Sequence, residues 1–440
     1  MRLPVLPLIL AAPLILAACE EPEAILPGER LAVRPGEAPG VVASAAPDVA
    51  PAPVAIALPA PQRLGAWPMR VANAANDPPH ATLAATPRRI WTAAIGQGDT
   101  RRLRITADPV SDGARIFTLD AASTVAATTT SGALAWSRNL IPATEQGGDA
   151  AGGGLAVVDG TLYASTGYGR LHAIDAATGR TRWEQVLEAP LTTPKVSGGQ
   201  VFVVSRDGRG WAIDAATGRI RWQLTAPPAP AAMATAPAPA VTDRIALFPF
   251  ASGRVIAALP QSGIEVWTGS VTGQRRGVAS GFVEDVTGDP VLQGDAVYAG
   301  TTAGRLVALE RATGDRLWTA DEGAVSPVVL AGGSVFAVTD RAQVVRLRAS
   351  DGAVIWRADL PFYKDPRARR REGVFPHYGP VLAGGRLWVA SADGALRGFD
   401  PASGALVAQA DLPGGAASRP IAFGDALYVV GRDGQLHAYR

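Results

Sequence analysis

Cysteine is almost absent from the 440-residue sequence, in which Cys19 is the single example. One thiol excludes an intramolecular disulfide framework. Histidine is scarce too, and its four positions lie far apart, with no pair at metal-ligand spacing. They are His80, His172, His377 and His437. These shortages predict a protein without a resident metal or cofactor.

Neither sign of charge dominates, because 41 basic and 39 acidic residues leave a net charge of +2. No basic stripe alternates with aromatic residues, so we expect no nucleic-acid partner. The one dense cluster of charge is Arg367–Arg371, which contains four arginines. It is interpreted as a solvated loop, with contact to lipid headgroups or to a partner as the alternative.

The apolar run Leu3–Ile15 is too short and too interrupted by proline to span a membrane as a helix. It follows the positive Met1-Arg2 and ends in Leu16-Ala17-Ala18-Cys19, an order typical of an export signal. The last four residues resemble the bacterial lipoprotein box. We therefore predict that residues 1–18 are removed and that lipid on Cys19 anchors the protein outside the inner membrane.

Residues 19–63 are rich in alanine, proline and glutamate and contain few bulky side chains. Such a segment buries too little apolar area to fold alone, so we expect a disordered linker. A coil of this length reaches about 40 Å. Bulky residues return from Trp67 onward, so residues 64–88 are predicted to dock on the following domain.

Two stretches of eleven residues are almost identical. Residues 173–183 read AIDAATGRTRW and residues 212–222 read AIDAATGRIRW. A repeat at this spacing indicates an array of small units. Weaker copies share a glycine followed four residues later by tryptophan or, in the last copy, alanine. They are Gly132 with Trp136, Gly263 with Trp267, Gly314 with Trp318, Gly352 with Trp356 and Gly404 with Ala408.

Each unit contains four runs in which apolar residues alternate with polar or small ones, separated by glycine turns, a pattern that predicts four short strands. Four antiparallel strands in roughly 40 residues are typical of a propeller blade. Seven blades are predicted near residues 108–140, 154–188, 193–225, 239–271, 289–321, 326–360 and 379–412. Residues 89–440 are thus predicted to form an all-β, eight-bladed propeller of four-stranded antiparallel blades.

The eighth unit, Ile421–Tyr439, holds three predicted strands and lacks a fourth. The missing strand is predicted at Arg89–Thr92, so that an N-terminal strand closes the ring and leaves no open edge. Seven of the ten tryptophans occupy one place in the repeat, which predicts packing between neighbouring blades and not ligand stacking.

The pattern Asp-x-x-Thr-Gly-x-x-x-Trp at Asp175–Trp183 resembles the PQQ-like repeat. Together with the lipoprotein box at Leu16–Cys19 and eight units, the chain is similar to the BamB family of lipoproteins. The resemblance covers the signal and residues 89–440. It implies a non-catalytic scaffold, anchored at the periplasmic face of the outer membrane, that binds the POTRA domains of BamA within the BAM complex and assists the insertion of unfolded outer-membrane protein clients.

The family binds its partner through loops that include an acidic segment entering the fifth blade. The matching stretch here is Asp285–Pro290, preceded by Glu284. The resemblance therefore implies partner-binding roles for Glu284, Asp285, Thr287 and Asp289, although Thr287 replaces an acidic residue of the family pattern. A solvated loop carboxylate is the alternative for Asp285. The connector Ala226–Pro239 lacks the arginine that the family carries before the fourth blade.

Two other functions stay open. One is a quinoprotein dehydrogenase, which uses the same repeat but needs a quinone pocket, an oxygen-ligated cation and a base. His172 and His437 follow a leucine at the same place in their repeats, which favours a structural role for both. The run Gly152-Gly153-Gly154 lacks the Lys-Ser/Thr of a phosphate loop. The other function is a lipoprotein scaffold for a different envelope complex, since Glu20 only suggests outer-membrane sorting.

Overall fold

The structure is a computed structural model that describes residues 53–440, apart from 230, 233–236, 274, 276–282, 366 and 372. The described residues belong to one unit of the chain, Val49–Arg440. The predicted signal 1–18, the predicted lipidation site Cys19 and the linker as far as residue 52 lie outside them.

Alternating side chains form short strands throughout the described chain, because successive residues of a strand point to opposite faces. The strands build eight sheets of four antiparallel strands. The predicted fold class is therefore confirmed. Blades 1 to 4 contain β2 (Val110–Ser111), β3 (Arg115–Leu119), β4 (Thr124–Thr129), β5 (Leu134–Asn139), β6 (Gly153–Val158), β7 (Thr161–Thr166), β8 (Arg170–Asp175), β9 (Thr181–Val186), β10 (Lys195–Ser197), β11 (Gln200–Val204), β12 (Arg209–Asp214), β13 (Ile220–Thr225), β14 (Ala240–Val241), β15 (Ala246–Pro249), β16 (Arg254–Ala258) and β17 (Glu265–Ser270).

Blades 5 to 8 continue the same order. They contain β18 (Val286–Gln293), β19 (Ala296–Thr301), β20 (Arg305–Glu310), β21 (Arg316–Ala320), β22 (Val329–Ala331), β23 (Ser334–Val338), β24 (Gln343–Arg348), β25 (Val354–Asp359), β26 (His377–Ala383), β27 (Arg386–Ser391), β28 (Ala395–Phe399), β29 (Leu406–Asp411), β30 (Ile421–Phe423), β31 (Ala426–Val430) and β32 (Gln435–Tyr439). A 3-10 turn, Ala368–Arg370, lies between blades 6 and 7. The first strands of most neighbouring blades contact one another, which places these strands around the axis of the ring.

The fourth strand of blade 8 comes from the other end of the domain. Strand β1 (Arg89–Ala94) pairs antiparallel with β32, with Thr92 opposite His437. The pairing continues beyond the strands, since Arg88 and Arg440 exchange backbone hydrogen bonds of 2.8 and 2.9 Å. The first and last strands of the propeller thus share one sheet.

The repeated Asp-x-x-Thr-Gly sequence forms the turn between the third and fourth strands of a blade. In blade 2, Oδ1 of Asp175 accepts hydrogen bonds from the backbone N–H of Thr178 at 2.9 Å and from its hydroxyl at 2.8 Å. Gly179 follows with a φ of 74°, a conformation that glycine adopts without steric cost. The repeat therefore specifies its own turn.

The repeated tryptophans pack between blades, as the sequence predicts. The indole Nε1 of Trp222 in blade 3 donates to Pro260 O of blade 4 at 2.9 Å. Its ring lies against Gly263, where a Cβ atom would come within 2.5 Å of it. The same contact with the turn of the next blade recurs for Trp91, Trp136, Trp183, Trp267, Trp318 and Trp356. One sequence pattern thus supplies both the turn and the surface on which the neighbouring tryptophan rests.

Residues 54–84, which we call the belt, run across one end of the propeller and touch every blade. The contacts from blade 1 to blade 8 are Trp67 with Ser111, Met69 with Ala156, Arg70 with Lys195, Ala74 with Val241, Ala75 with Leu292, Ile56 with Gly332, Ala81 with Leu382 and Leu64 with Gly424. Most are backbone hydrogen bonds, so they do not require bulky side chains.

The belt begins earlier than the predicted docking segment 64–88. Val54 already donates its N–H to Ala402 O of blade 7 at 3.2 Å. The buried guanidinium of Arg346 donates to Val54 O at 2.6 Å. Pro59 O accepts from Nδ1 of His80 at 2.7 Å. Residues 54–63, expected within the linker, thus belong to the belt. Backbone groups attach them together with the side chains of Ile56 and Leu58, which pack against the core of blades 6 and 7.

Candidate functional site

The two ends of the propeller differ in the turns and connecting segments that lie there. Because each blade is an antiparallel meander, its first and third turns lie at one end and its second turn at the other. The belt covers the first end, which we call the turn face. The segments that join successive blades lie at the second end, the connector face. They comprise residues 95–109, 140–152, 187–194, 226–239, 271–285, 321–328, 360–376 and 412–420.

The connector 271–285 enters blade 5 and ends at Asp285, one of the predicted partner-binding residues. The Asp285 side chain is fully buried, and its Oδ2 lies 3.0 Å from Nη1 of Arg206. Arg206 lies in the second turn of blade 3, so this ion pair joins blade 3 to the entry of blade 5 and does not involve blade 4. A carboxylate buried this completely has to be paired. In this structure Asp285 fixes the connector, and its carboxylate is not open to a partner.

The same connector is attached at its start. Arg275 forms an ion pair with Asp340, in which Nη2 lies 2.9 Å from Oδ1. It also donates to Asp321 O at 3.1 Å. Asp340 lies in the second turn of blade 6 and is almost fully buried. Two ion pairs therefore fix described residues near the two ends of the connector, Asp285 to blade 3 and Arg275 to blade 6.

Glu284 is the one exposed residue of the predicted set. Its backbone lies against the second turn of blade 4, where a Cβ on Gly253 would come within 2.9 Å of Glu284 O. Gly253 has a φ of 70°, so glycine both forms the turn and admits the connector. Glu284 thus presents its side chain to solvent from a fixed backbone.

Thr287 and Asp289 lie inside the protein, contrary to the expectation of a contact surface. The Thr287 hydroxyl donates to Ala324 O at 2.7 Å. Asp289 accepts from Nε of Arg70, a belt residue, at 2.7 Å. The register of β18 shifts between Gly288 and Val291, around Asp289. These two side chains are therefore buried in this structure, by neighbours that come from distant parts of the chain.

Asp289 belongs to a buried charge cluster, defined as Arg70, Asp108, Lys195, Asp289 and Arg419. Nη1 of Arg70 lies 3.3 Å from Asp108, and Asp108 also accepts from the Arg419 N–H at 2.9 Å. Lys195 donates to the carbonyl oxygens of Arg70 and Asn73, the latter at 2.7 Å. The cluster joins the belt to blades 1, 3, 5 and 8.

Burial and the neighbouring charges shift the pKa values of the basic groups in this cluster. It lowers the pKa of Lys195 to about 7 and that of Arg419 to about 10. Burial also acts to lower the pKa of Arg70, but the nearby Asp289 and Asp108 carboxylates outweigh it and raise that pKa. Arg70 is thus the cation on which both carboxylates depend.

The sequence analysis did not identify the arginines that pair with Asp285 and Asp289. Arg206 is 79 positions from Asp285 and Arg70 is 219 positions from Asp289, and no local pattern links either pair. Lys195 carried a detectable signal, because the sequence has only two lysines among its 41 basic residues. A lone lysine at the start of an apolar strand is a candidate for a buried role.

Two further properties concern the described residues alone. Within them, no three histidine, cysteine, aspartate or glutamate side chains are grouped so that they could hold a metal ion. No helix found in that part of the chain has the length and apolar character needed to cross a membrane.

Comparison with known proteins gives one family. The family model described as outer membrane protein assembly factor BamB matches residues 121–358 and 363–440. A curated protein of that name from Yersinia pestis is 24% identical over 364 residues, which cover 80% of this chain and 89% of the relative. The protein of that name from Salmonella typhimurium is 31% identical over 254 residues, covering 56% of this chain and 63% of the relative.

Solved structures share the fold. The crystal structure of BamB from Moraxella catarrhalis has a TM-score of 0.66 at 20% identity and covers 81% of this chain and 100% of that one. A quinohemoprotein alcohol dehydrogenase from Comamonas testosteroni has a TM-score of 0.61 at 14% identity, covering 86% of this chain and 81% of that one. At these identities both structures show a common architecture and no more.

Proposed function

This chain belongs to the family of the outer membrane protein assembly factor BamB, and we propose that it is a non-catalytic scaffold of the machinery that assembles β-barrel proteins in the outer membrane. Membership of the family supports both the location and the assembly role. The finer proposal is that the connector face binds the periplasmic POTRA domains of BamA. The entry to blade 5 supports it, because Asp285 is fixed by an ion pair and the neighbouring Glu284 is exposed on the connector face.

The proposed roles divide the predicted binding residues in two. Glu284 contacts the partner, and Asp285 positions it through Arg206. Thr287 and Asp289 belong to the interior. A contact residue whose backbone is fixed in advance, as at Glu284, loses less conformational entropy on binding than one in a free loop, which favours affinity. The scaffold would in this way hold BamA and assist the delivery of unfolded barrel clients.

Anchoring completes the proposal. We expect lipid on Cys19 to hold the protein at the periplasmic face of the outer membrane, with residues 20–52 between the anchor and the belt. Mass spectrometry of the intact protein isolated from membranes measures the added lipid. A Cys19→Ser variant should carry none, and finding unmodified Cys19 in the wild-type protein would overturn the anchor.

The docking surface is tested by purification of the full chain, tagged at its C-terminus, from detergent-solubilised envelopes. We expect BamA to co-purify, and Glu284→Arg to reduce its recovery at least several-fold, because the reversed charge faces the partner. Glu145→Arg is the matched control, since Glu145 is an exposed acid of another connector on the same face. Equal recovery with both variants would place the contact elsewhere on the protein.

The same sample separates the alternative functions. Recovery of this protein with other envelope proteins and without BamA would indicate a scaffold of a different complex. A quinoprotein dehydrogenase would show the absorption of a bound quinone. That alternative rests on the shared fold, which hosts both kinds of protein.

A further inference from the structure

Residues 361–375 form a small hairpin on the connector face, between blades 6 and 7. Tyr363 and Val374 form an antiparallel bridge. Lys364 N–H donates to Gly373 O at 2.9 Å, and Phe375 N–H donates to Phe362 O at 2.8 Å. These bonds make a stem, and we call residues 364–372 the tip, of which Lys364, Asp365 and Arg367–Arg371 are described.

The tip is strongly cationic and exposed. Its basic side chains are Lys364, Arg367, Arg369, Arg370 and Arg371, and all five are exposed to solvent. With the carboxylates of Asp365 and Glu372, five positive and two negative charges leave a net charge of +3. The whole chain has a net charge of only +2. The excess positive charge of the protein is therefore concentrated in this hairpin.

The cations of the tip stay exposed where they make intramolecular contacts. Arg367 lies 3.3 Å from Asp365, but its side chain is 71% exposed. The guanidinium of Arg371 lies 4.7 Å from the centre of the Tyr363 ring, and this residue is exposed as well. Elsewhere on this face, buried carboxylates such as Asp285 and Asp340 pair with arginines. The hairpin differs because its cations face solvent.

Apolar side chains accompany the cations. Val374 is 45% exposed, and the rings of Phe362 and Tyr363 lie 4.6 Å apart at the stem, both half-buried. A tip that combines exposed arginines with apolar and aromatic groups suits a boundary between water and lipid. Four of the five cations are arginines, whose planar forks match the geometry of phosphate oxygens.

We propose that the tip of hairpin 361–375 docks on a membrane surface through the phosphates of anionic lipid headgroups. The proposal rests on the lipid anchor of the proposed function, which keeps the propeller within reach of a bilayer. Several basic residues acting together are attracted to such a surface, and the attraction is screened by salt. A lipid surface presents many phosphates side by side, so it can contact several of these exposed arginines at once.

The sequence provides a reporter at the tip itself. The whole chain contains two lysines, Lys364 in the hairpin and Lys195, which is fully buried. An amine-reactive reagent should therefore modify Lys364 rapidly and Lys195 slowly. Labelling at Lys364 measures whether the tip is covered, and labelling at Lys195 shows whether the protein is still folded.

The experiment uses the full lipidated chain in vesicles of pure phosphatidylcholine and in vesicles with equal parts phosphatidylglycerol. We expect labelling of Lys364 to be at least about fivefold slower in the anionic vesicles at low salt, with most of the difference lost at high salt. The variant Arg367→Glu/Arg369→Glu/Arg370→Glu should label at the same rate in both. Arg180→Glu/Arg219→Glu/Arg244→Glu is the matched control, since these exposed arginines lie in turns of the opposite face, and it should retain the protection.

The outcomes are separable. Equal labelling of wild-type Lys364 in the two kinds of vesicle would overturn the docking proposal, even if the protein floats with both. Failure to float with phosphatidylcholine vesicles would instead remove the anchor from the proposed function. Protection that appears only when BamA is added, whatever the lipid, would assign the tip to an acidic protein surface and also overturn the proposal.

Discussion

The turn face and the connector face of this propeller are built from the same repeat, but different interactions stabilise them. The belt covers the turn face and attaches to all eight blades, largely through its backbone. On the connector face, the segments between blades are held by ion pairs such as Arg206–Asp285 and Glu322–Arg357. The turn face is therefore closed by a separate segment of the chain, whereas the connector face is held by pairs between its own connectors and the blades.

The difference shows how buried charge is used on each side. Under the belt, Arg70 is shared by two carboxylates and has little access to water. On the connector face, the arginine of a pair keeps partial access to solvent while its carboxylate is buried, as in Arg206 with Asp285. Loss of one member should be costly under the belt and milder on the connector face, because solvent can compensate only in the second case.

The largest effect is expected for Arg70→Ala. The substitution leaves Asp108 and Asp289 buried without their shared cation, so we expect a loss of about 3–5 kcal/mol in the free energy of unfolding. The measurement is the urea midpoint of the full chain at neutral pH. Arg63→Ala is the control, because Arg63 pairs with Asp425 but its side chain is 72% exposed. It should cost at most about 1 kcal/mol. Similar losses for the two variants would show that the belt is not held by the buried cluster.

The second effect is a dependence of stability on pH through Lys195. Burial lowers its pKa from 10.5 to about 7, so between these values the unfolded chain binds a proton that the folded chain does not. Stability should rise with pH above about 7, by up to about 1.4 kcal/mol per pH unit. Below pH 7 both states hold the proton, and this contribution to the slope disappears.

Urea midpoints between neutral and moderately alkaline pH test this dependence. The charged groups that act on Lys195 are Asp289, Arg70, Arg419 and Asp108. The measurements stay below the pKa of Arg419, which is about 10, so that this guanidinium keeps its charge. Lys195→Met should remove the rise, whereas Lys364→Met, at an exposed position, should keep it. An unchanged slope in Lys195→Met would mean that other groups titrate.

The blades could be predicted from sequence because the residues that specify each turn and each contact between blades lie within one repeat or in adjacent repeats. A glycine such as Gly263 forms a turn within its own repeat and receives Trp222 from the preceding one, so both recur at a fixed spacing. The path of the belt could not be predicted in this way. Its attachments use carbonyls such as Ala74 O, which almost any sequence supplies. Composition suggested that the chain docks on the propeller from about Trp67 onward, but it did not show which belt residue pairs with which blade.

The sequence placed the segment from Glu284 to Asp289 at the entry to blade 5, but it did not predict that most of these side chains are buried. The resemblance located the entry to blade 5 correctly in the chain, but an acidic stretch looks the same whether it is solvated or paired. The pairing depends on Arg206 and Arg70, which approach only when blades 3 and 5 and the belt are assembled. Spacing along the chain contains no such information.

A smaller effect is expected for Asp285→Asn on the connector face. The amide keeps the shape of the side chain but removes the charge, and Arg206, with 20% of its side chain exposed, can turn to water. We expect a loss of about 1–2 kcal/mol in the urea midpoint experiment. Asp295→Asn is the control, because Asp295 pairs with Arg311 while 93% exposed, and it should cause no measurable loss. A loss as large as that of Arg70→Ala would remove the distinction between the faces.

The smallest effect concerns the edge of the belt. The Thr82 hydroxyl donates to Asp425 Oδ1 at 2.6 Å, and this bond is the main cause of the lowered pKa of Asp425. Thr82→Val should therefore raise that pKa toward its ordinary value of 3.8, measured by NMR titration of the carboxylate. A lowered carboxyl pKa adds stability that is present at neutral pH and lost as the pH falls through the folded pKa, so the difference between Thr82→Val and wild type should be largest at neutral pH. Because Asp425 is well exposed, that difference should be only about 0.5 kcal/mol.

Thr313→Val, in an exposed turn of blade 5, should leave the Asp425 titration unchanged. If Thr82→Val also left it unchanged, the belt would not be bonded to blade 8 at this point, and the closed face would end earlier than the structure shows.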